Sequence, residues 1–167
     1  NEPERALRSL FNNFAQNLYR DMNCFTEHPV PEFGHGIGPF FKISDEAQFL
    51  VNLRNHLVRE DDKSLLLLQA ASREWFAPGK KIKLEKFASG NGPVSIETES
   101  YETCIKVTID GDWRNSPEQL KIYLRRPDKK SPVEVVINGN EVCPYYINGD
   151  EIIIDKPAEN LEIIAKY

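Results

Sequence analysis

Residues 81–110 read KIKLEKFASGNGPVSIETESYETCIKVTID, and their period decides the fold. Ile82 and Leu84, then Val94 and Ile96, then Ile105, Val107 and Ile109 recur at every second position, with charged or hydroxyl residues between them. A strand turns successive side chains to opposite faces, so this alternation makes one apolar and one polar face; a helix would need a period of about 3.6. The Ser-Gly-Asn-Gly-Pro run at 89–93 breaks the first two segments as turn residues do. The same period, or a short apolar run of strand length, continues in QLKIYLR (119–125), VEVVI (133–137), EIIID (151–155) and LEIIAKY (161–167). The chain from Ser64 onward therefore reads as antiparallel β structure. Asn138-Gly139 and Asn148-Gly149 each stand between strand-like runs, a hairpin signal, and the closing strands are expected to form a meander.

Upstream the period is helical. PERALRSLFNNFAQNLYRDM (3–22) places Leu7, Leu10, Phe11, Phe14, Ala15, Leu18, Tyr19 and Met22 on one stripe, with Pro3 and Glu4 suited to a first turn. A second stripe of Ala47, Leu50, Leu53, Leu57 and Val58 follows Ser44, a natural N-cap, and the acidic run Glu60-Asp61-Asp62 is expected to close that helix. Helices first and strands afterwards predict an α+β fold, two N-terminal amphipathic helices followed by an antiparallel β-sandwich. The division is expected as a helical hairpin over 1–62 and a sandwich over 63–167. Two helices alone cannot cover their own apolar stripes. These must pack on the β layer, on helices beyond this chain, or on a second copy in a homodimer.

Composition narrows the function classes. With 167 residues, 40% hydrophobic and 28% charged, the chain is a globular protein rather than a disordered one. The formal net charge of −5, with Lys and Arg scattered among carboxylates, disfavours a nucleic-acid partner. No apolar run approaches the roughly 18 residues of a membrane span. Cys24, Cys104 and Cys143 are an odd, widely spaced set without a CxxC pair, so neither a disulfide framework nor a cysteine metal site is expected. The start at Asn1 reads as a mature product or a piece of something longer.

The segment LLLLQAASREWFAPGKKIKLEKFASGNGPVSIETES (65–100) resembles the stretch joining catalytic and C-terminal domains in bacterial glycoside hydrolases built on a six-hairpin (α/α)6 toroid, including relatives of α-L-rhamnosidases. Arg73, Trp75, Gly79, Lys80, Gly92, Pro93 and Val94 carry that resemblance. VEVVINGNEV (133–142) followed by GDEIIID (149–155) is similar to the closing β-sandwich of such enzymes. The resemblance implies the last helical hairpin of a toroid, a joining strand and an accessory sandwich, inactive alone and part of a larger polypeptide. It also implies a carbohydrate substrate and a periplasmic or extracellular location.

The loop TEHPVPEFGHGIGPFFK (26–42) between the two helices holds the candidate chemistry. Glycoside hydrolysis needs two carboxyl groups about 5–9.5 Å apart across the scissile bond. Glu27 and Glu32 are the carboxylates of the loop, and the resemblance points them into the toroid's mouth as acid or base; the alternative is a pair of solvated loop carboxylates. His28 and His35 could hydrogen-bond sugar hydroxyls and Phe33 could stack on a sugar face, or the loop phenylalanines could lie buried beneath the hairpin. Glu27, His28, Glu32 and His35 lack the HExxH order and a helix to aim them, so no metal is expected, and GHGIG (34–38) lacks the Rossmann context, so no cofactor is expected either. Trp113, after the CIKVTID strand, is either a core residue or an exposed sugar platform, whereas Trp75 is read as core. The second function class is a non-catalytic carbohydrate-binding module, which would need an exposed row of aromatics. A hydrolase complete in this chain is disfavoured because no GxSxG elbow or Cys/His signature is present.

Overall fold

The computed structural model describes residues 2–20, 22–26, 43–139 and 145–167. They fall in two units, Asn1–His56 and Leu57–Tyr167. Residues 57–62, read from the sequence as the end of the helical hairpin, belong to the second unit.

In the first unit, α1 (Pro3–Asn17) opens with proline in its first turn and Glu4 against the positive end of its dipole, and it buries Leu7 and Leu10. The apolar stripe runs on to Met22, but the helix stops at Asn17. The Asn17 carbonyl accepts hydrogen bonds from the Thr26 backbone at 3.0 Å and the Thr26 hydroxyl at 3.2 Å, so a segment nine residues downstream replaces the next helical turn. Leu18–Tyr19 (β1) then pairs antiparallel with Cys24–Phe25 (β2). Asn23, at φ 50, turns the chain between them. Helix α2 (Ile43–Leu57) carries Asp45 and Glu46 in its first turn and Arg54 and His56 in its last, which suits the dipole at both ends, yet it contains no buried residue.

The second unit begins with β3 (Val58–Asp61), which pairs antiparallel with β4 (Ser64–Leu67) across a turn that holds Asp62 at φ 54. Val58 is 0% exposed, so the acidic run after it forms a strand edge and a turn rather than a helix end. A 3-10 turn at Arg73–Phe76 is capped by Ser72, whose hydroxyl accepts from the Glu74 backbone at 3.3 Å. The remaining strands are β5 (Lys81–Phe87), β6 (Val94–Ser100), β7 (Cys104–Gly111), β8 (Gln119–Tyr123), β9 (Glu134–Ile137), β10 (Tyr145–Asn148), β11 (Glu151–Asp155) and β12 (Asn160–Lys166).

The strands form two five-stranded sheets in the order β10-β11-β8-β4-β3 and β5-β6-β7-β12-β9. Every pairing is antiparallel except β4 with β8, which is parallel. Those two strands are separated in the chain by β5, β6 and β7 of the other sheet, a crossover long enough to bring the chain back in the same direction. The fold is thus α+β with mostly antiparallel sheets, one of them mixed. Among the described residues the closing strands do not form the expected meander: β9 and β12 lie in one sheet, β10 and β11 in the other. Asn138 and Gly139, just after β9, adopt the paired positive φ values of a mirror turn, 45 and 68. Between β10 and β11 the hairpin does form: Asn148 faces Glu151, and Gly149, at φ 62, with Asp150 makes a two-residue loop.

The alternating residues supply the core. Ile96, Ile105, Ile109, Leu161 and Ile163 of one sheet share a hydrophobic cluster with Leu65, Leu67, Leu120, Ile122, Ile152 and Ile154 of the other. Each such side chain contributes roughly 1.5–3 kcal/mol on burial. No helix among the described residues is long and apolar enough to cross a membrane.

Candidate functional site

Glu27, His28, Glu32, Phe33 and His35 lie outside the described residues, as does Cys143. Cys24 is buried and Cys104 half-buried, both as free thiols. Trp113 packs against the hydrophobic core of the second unit, its indole ring lying where a Gly111 side chain would be. Its Nε1 is buried without a hydrogen-bond partner among the described residues. Trp75 also packs on the core. Tyr145 and Tyr146 are exposed, but as consecutive residues of β10 they project to opposite faces, while Tyr123 is buried. No group of three or more His, Cys, Asp or Glu among the described residues could hold a metal ion.

The densest polar constellation is one that the sequence reading missed. Arg73, from the 3-10 turn, clamps Asp150 with two guanidinium nitrogens, Nη2 to Oδ2 at 2.5 Å and Nη1 to Oδ1 at 3.4 Å. Its Nη1 also donates to the Arg126 carbonyl at 2.9 Å. Arg125, only 3% exposed, sets Nε 3.9 Å from Asp150 Oδ2, donates to the Leu68 carbonyl and stacks over the Tyr123 ring at 4.8 Å. Arg126 donates to the carbonyls of Tyr101 and Glu102, pairs with Asp128 at 3.1 Å and lies 5.0 Å from the Tyr167 ring. Tyr123 donates its hydroxyl to Glu151 Oε1 at 2.6 Å, and Tyr167 donates to the Leu124 carbonyl at 3.2 Å.

The electrostatics follow from this enclosure. Burial pushes the Tyr123 hydroxyl well above its ordinary range, and the Glu151 hydrogen bond adds to that. Burial does the same for Tyr167. Desolvation pulls the Arg125 guanidinium down against the opposing pull of Asp150. The hydrogen bond from Arg126 holds Asp128 below the usual carboxylate range. Each charge here is engaged by a neighbour, and the network ties the 3-10 turn, the β6–β7 turn, the end of β8, the β10–β11 turn and the last residue together. Its chemistry is that of a staple. The sequence shows only the adjacent pair Arg125-Arg126 just beyond β8, where strand alternation no longer assigns a face.

The first unit has a different character. Phe14, Phe25 and Phe49 form a ring cluster with centroids 5.1–5.5 Å apart. Beside it opens a cleft of about 190 Å³ lined by carboxamide side chains of both helices together with Phe25, Thr26, Asp45 and Phe49. Thr26 is the last described residue before the loop in which the candidate glutamates fall.

No protein-family model matches this chain, and no curated protein matches it.

Proposed function

We propose that this chain is the C-terminal part of a bacterial glycoside hydrolase of the six-hairpin helical-toroid type, acting outside the cytoplasm on a carbohydrate. In this reading the two sheets pack face to face as a β-sandwich whose work is structural, and the two helices complete a larger helical layer. The observation that carries it is α2. None of its residues is fully buried, and Ile43 is 75%, Leu50 63% and Val51 48% exposed, as is Phe11 of α1 at 53%. Apolar helix faces of this extent mark surfaces that another layer covers. The resemblance of residues 65–100 names helices of the same polypeptide as that layer. The shared core of the two sheets and the buried arginine network support the sandwich as a self-sufficient brace. Glu27 or Glu32 would then serve as acid or base only within the assembled toroid.

The test is hydrolysis of a panel of aryl glycosides by the product of the whole gene and by this chain alone. The reading predicts turnover by the former and none by the latter. Turnover by this chain alone at rates typical of enzymes would contradict it, as would an inactive full product.

A further inference from the structure

We propose that the cleft between α1 and α2 is a subsite for one neutral pyranose ring, an inference that rests on the carbohydrate reading above and assigns the residues that would hold the sugar. Asn13 and Asn17 are four residues apart on α1, and Gln48 and Asn52 four apart on α2, so each pair shares a helix face. Asp45, Gln48, Phe49 and Asn52 follow the i, i+3, i+4, i+7 spacing, which puts the whole α2 contribution on one stripe.

The amides are held in place and still have capacity. Gln48 Nε2 donates to Asn52 Oδ1 at 3.1 Å, and Asn17 Nδ2 donates to the Asn13 carbonyl at 3.0 Å. That leaves Gln48 Oε1, Asn52 Nδ2, Asn17 Oδ1 and the Asn13 amide to a ligand, a mixed set of donors and acceptors. Vicinal hydroxyls, which both donate and accept, match such a set. The phenyl rings of Phe25 and Phe49 add an apolar wall suited to the C–H face of a sugar. No lysine or arginine among the described residues lines the cleft and Asp45 does, so the described lining offers a phosphate or an acidic sugar no counter-charge. At about 190 Å³ the cleft is smaller than the roughly 300 Å³ at which pockets for drug-sized ligands begin, so it accommodates a single ring rather than a chain of them.

The experiment uses the 167-residue chain and saturation-transfer NMR with methyl α-L-rhamnopyranoside, methyl β-D-glucopyranoside and methyl β-D-galactopyranoside, with adenosine and inorganic phosphate as competing chemistries. Asn13, Gln48 and Asn12 are exposed, so their replacement by alanine leaves the fold intact, as circular dichroism would verify. At least one glycoside is expected to bind. Asn13→Ala and Gln48→Ala are each expected to weaken it roughly three- to tenfold, the loss of one hydrogen bond, while Asn12→Ala, outside the cleft, changes nothing. Absence of binding by all three glycosides, binding untouched by both cleft variants, or displacement by adenosine or phosphate overturns the proposal. An active hydrolase with an empty cleft would remove this subsite and leave the hydrolase reading standing. Variant-sensitive glycoside binding in a protein without hydrolase activity would keep the subsite and overturn that reading.

Discussion

Asp150 is the residue on which the β unit's polar network turns, because it faces both Arg73 and the almost fully buried Arg125. Removing it takes the shared counter-charge from two guanidinium groups, and a buried pair broken on one side costs far more than the intact pair contributes. Asp150→Ala is expected to lower stability by about 3 kcal/mol in denaturant titration. Loss of Lys83, whose partner Glu85 is fully solvated, should leave the midpoint where it was. Tyr123 and Tyr167 add an alkaline limit. Both hydroxyls are held above the ordinary value of 10.0, so the neutral form is favoured in the folded chain. Their contribution is fully present below about pH 10 and is lost as pH rises beyond it, at up to about 1.4 kcal/mol per pH unit for each tyrosine. Stability measured from pH 8 to 12 should fall across that upper window, and Tyr123→Phe should flatten the fall. None of this was legible residue by residue: Arg125 and Arg126 lie beyond the end of β8, where alternation assigns no face, and nothing local shows that Asp150 waits in a turn 25 positions after Arg125.

The strands were the most legible elements. In β6, β7 and β12 one face is buried, so a one-residue slip would expose the whole apolar set and the pattern had to be strict. Which sheet a strand joins was not legible, because period 2 specifies a face and not a neighbour; hence the missed switch between β9 and β10 and the parallel β4–β8 pair. The end of α1 was misjudged for a related reason, since its cap comes from Thr26 through a contact that no helical period encodes. The link between β7 and Trp113 shows what close packing adds. A Cβ at Gly111 would overlap the Trp113 indole, so Gly111→Ala must displace the ring from the core. The expected cost is about 1–3 kcal/mol, with a red shift in tryptophan emission; an unchanged spectrum would show that Trp113 already sits in water.

For the molecule as a whole, the sequence yielded the order of helices and strands, but it put the candidate glutamates at positions outside the described residues. It did not find the amide-lined cleft, because asparagine and glutamine on a helix look like ordinary solvated surface until two helices bring them together. On the proposed reading α2 is one element of a larger helical layer and not a surface helix of a free-standing module. Hydrogen exchange of Ile43–Leu57, compared between this chain and the product of the whole gene, tests it most directly. The account predicts distinctly faster exchange in the chain alone, where α2 is formed but half-exposed, than in the whole product, where it is strongly protected. Strong protection in the chain as a monodisperse monomer would contradict it, and protection that appears only on dimerisation would replace the toroid with a second copy of the chain.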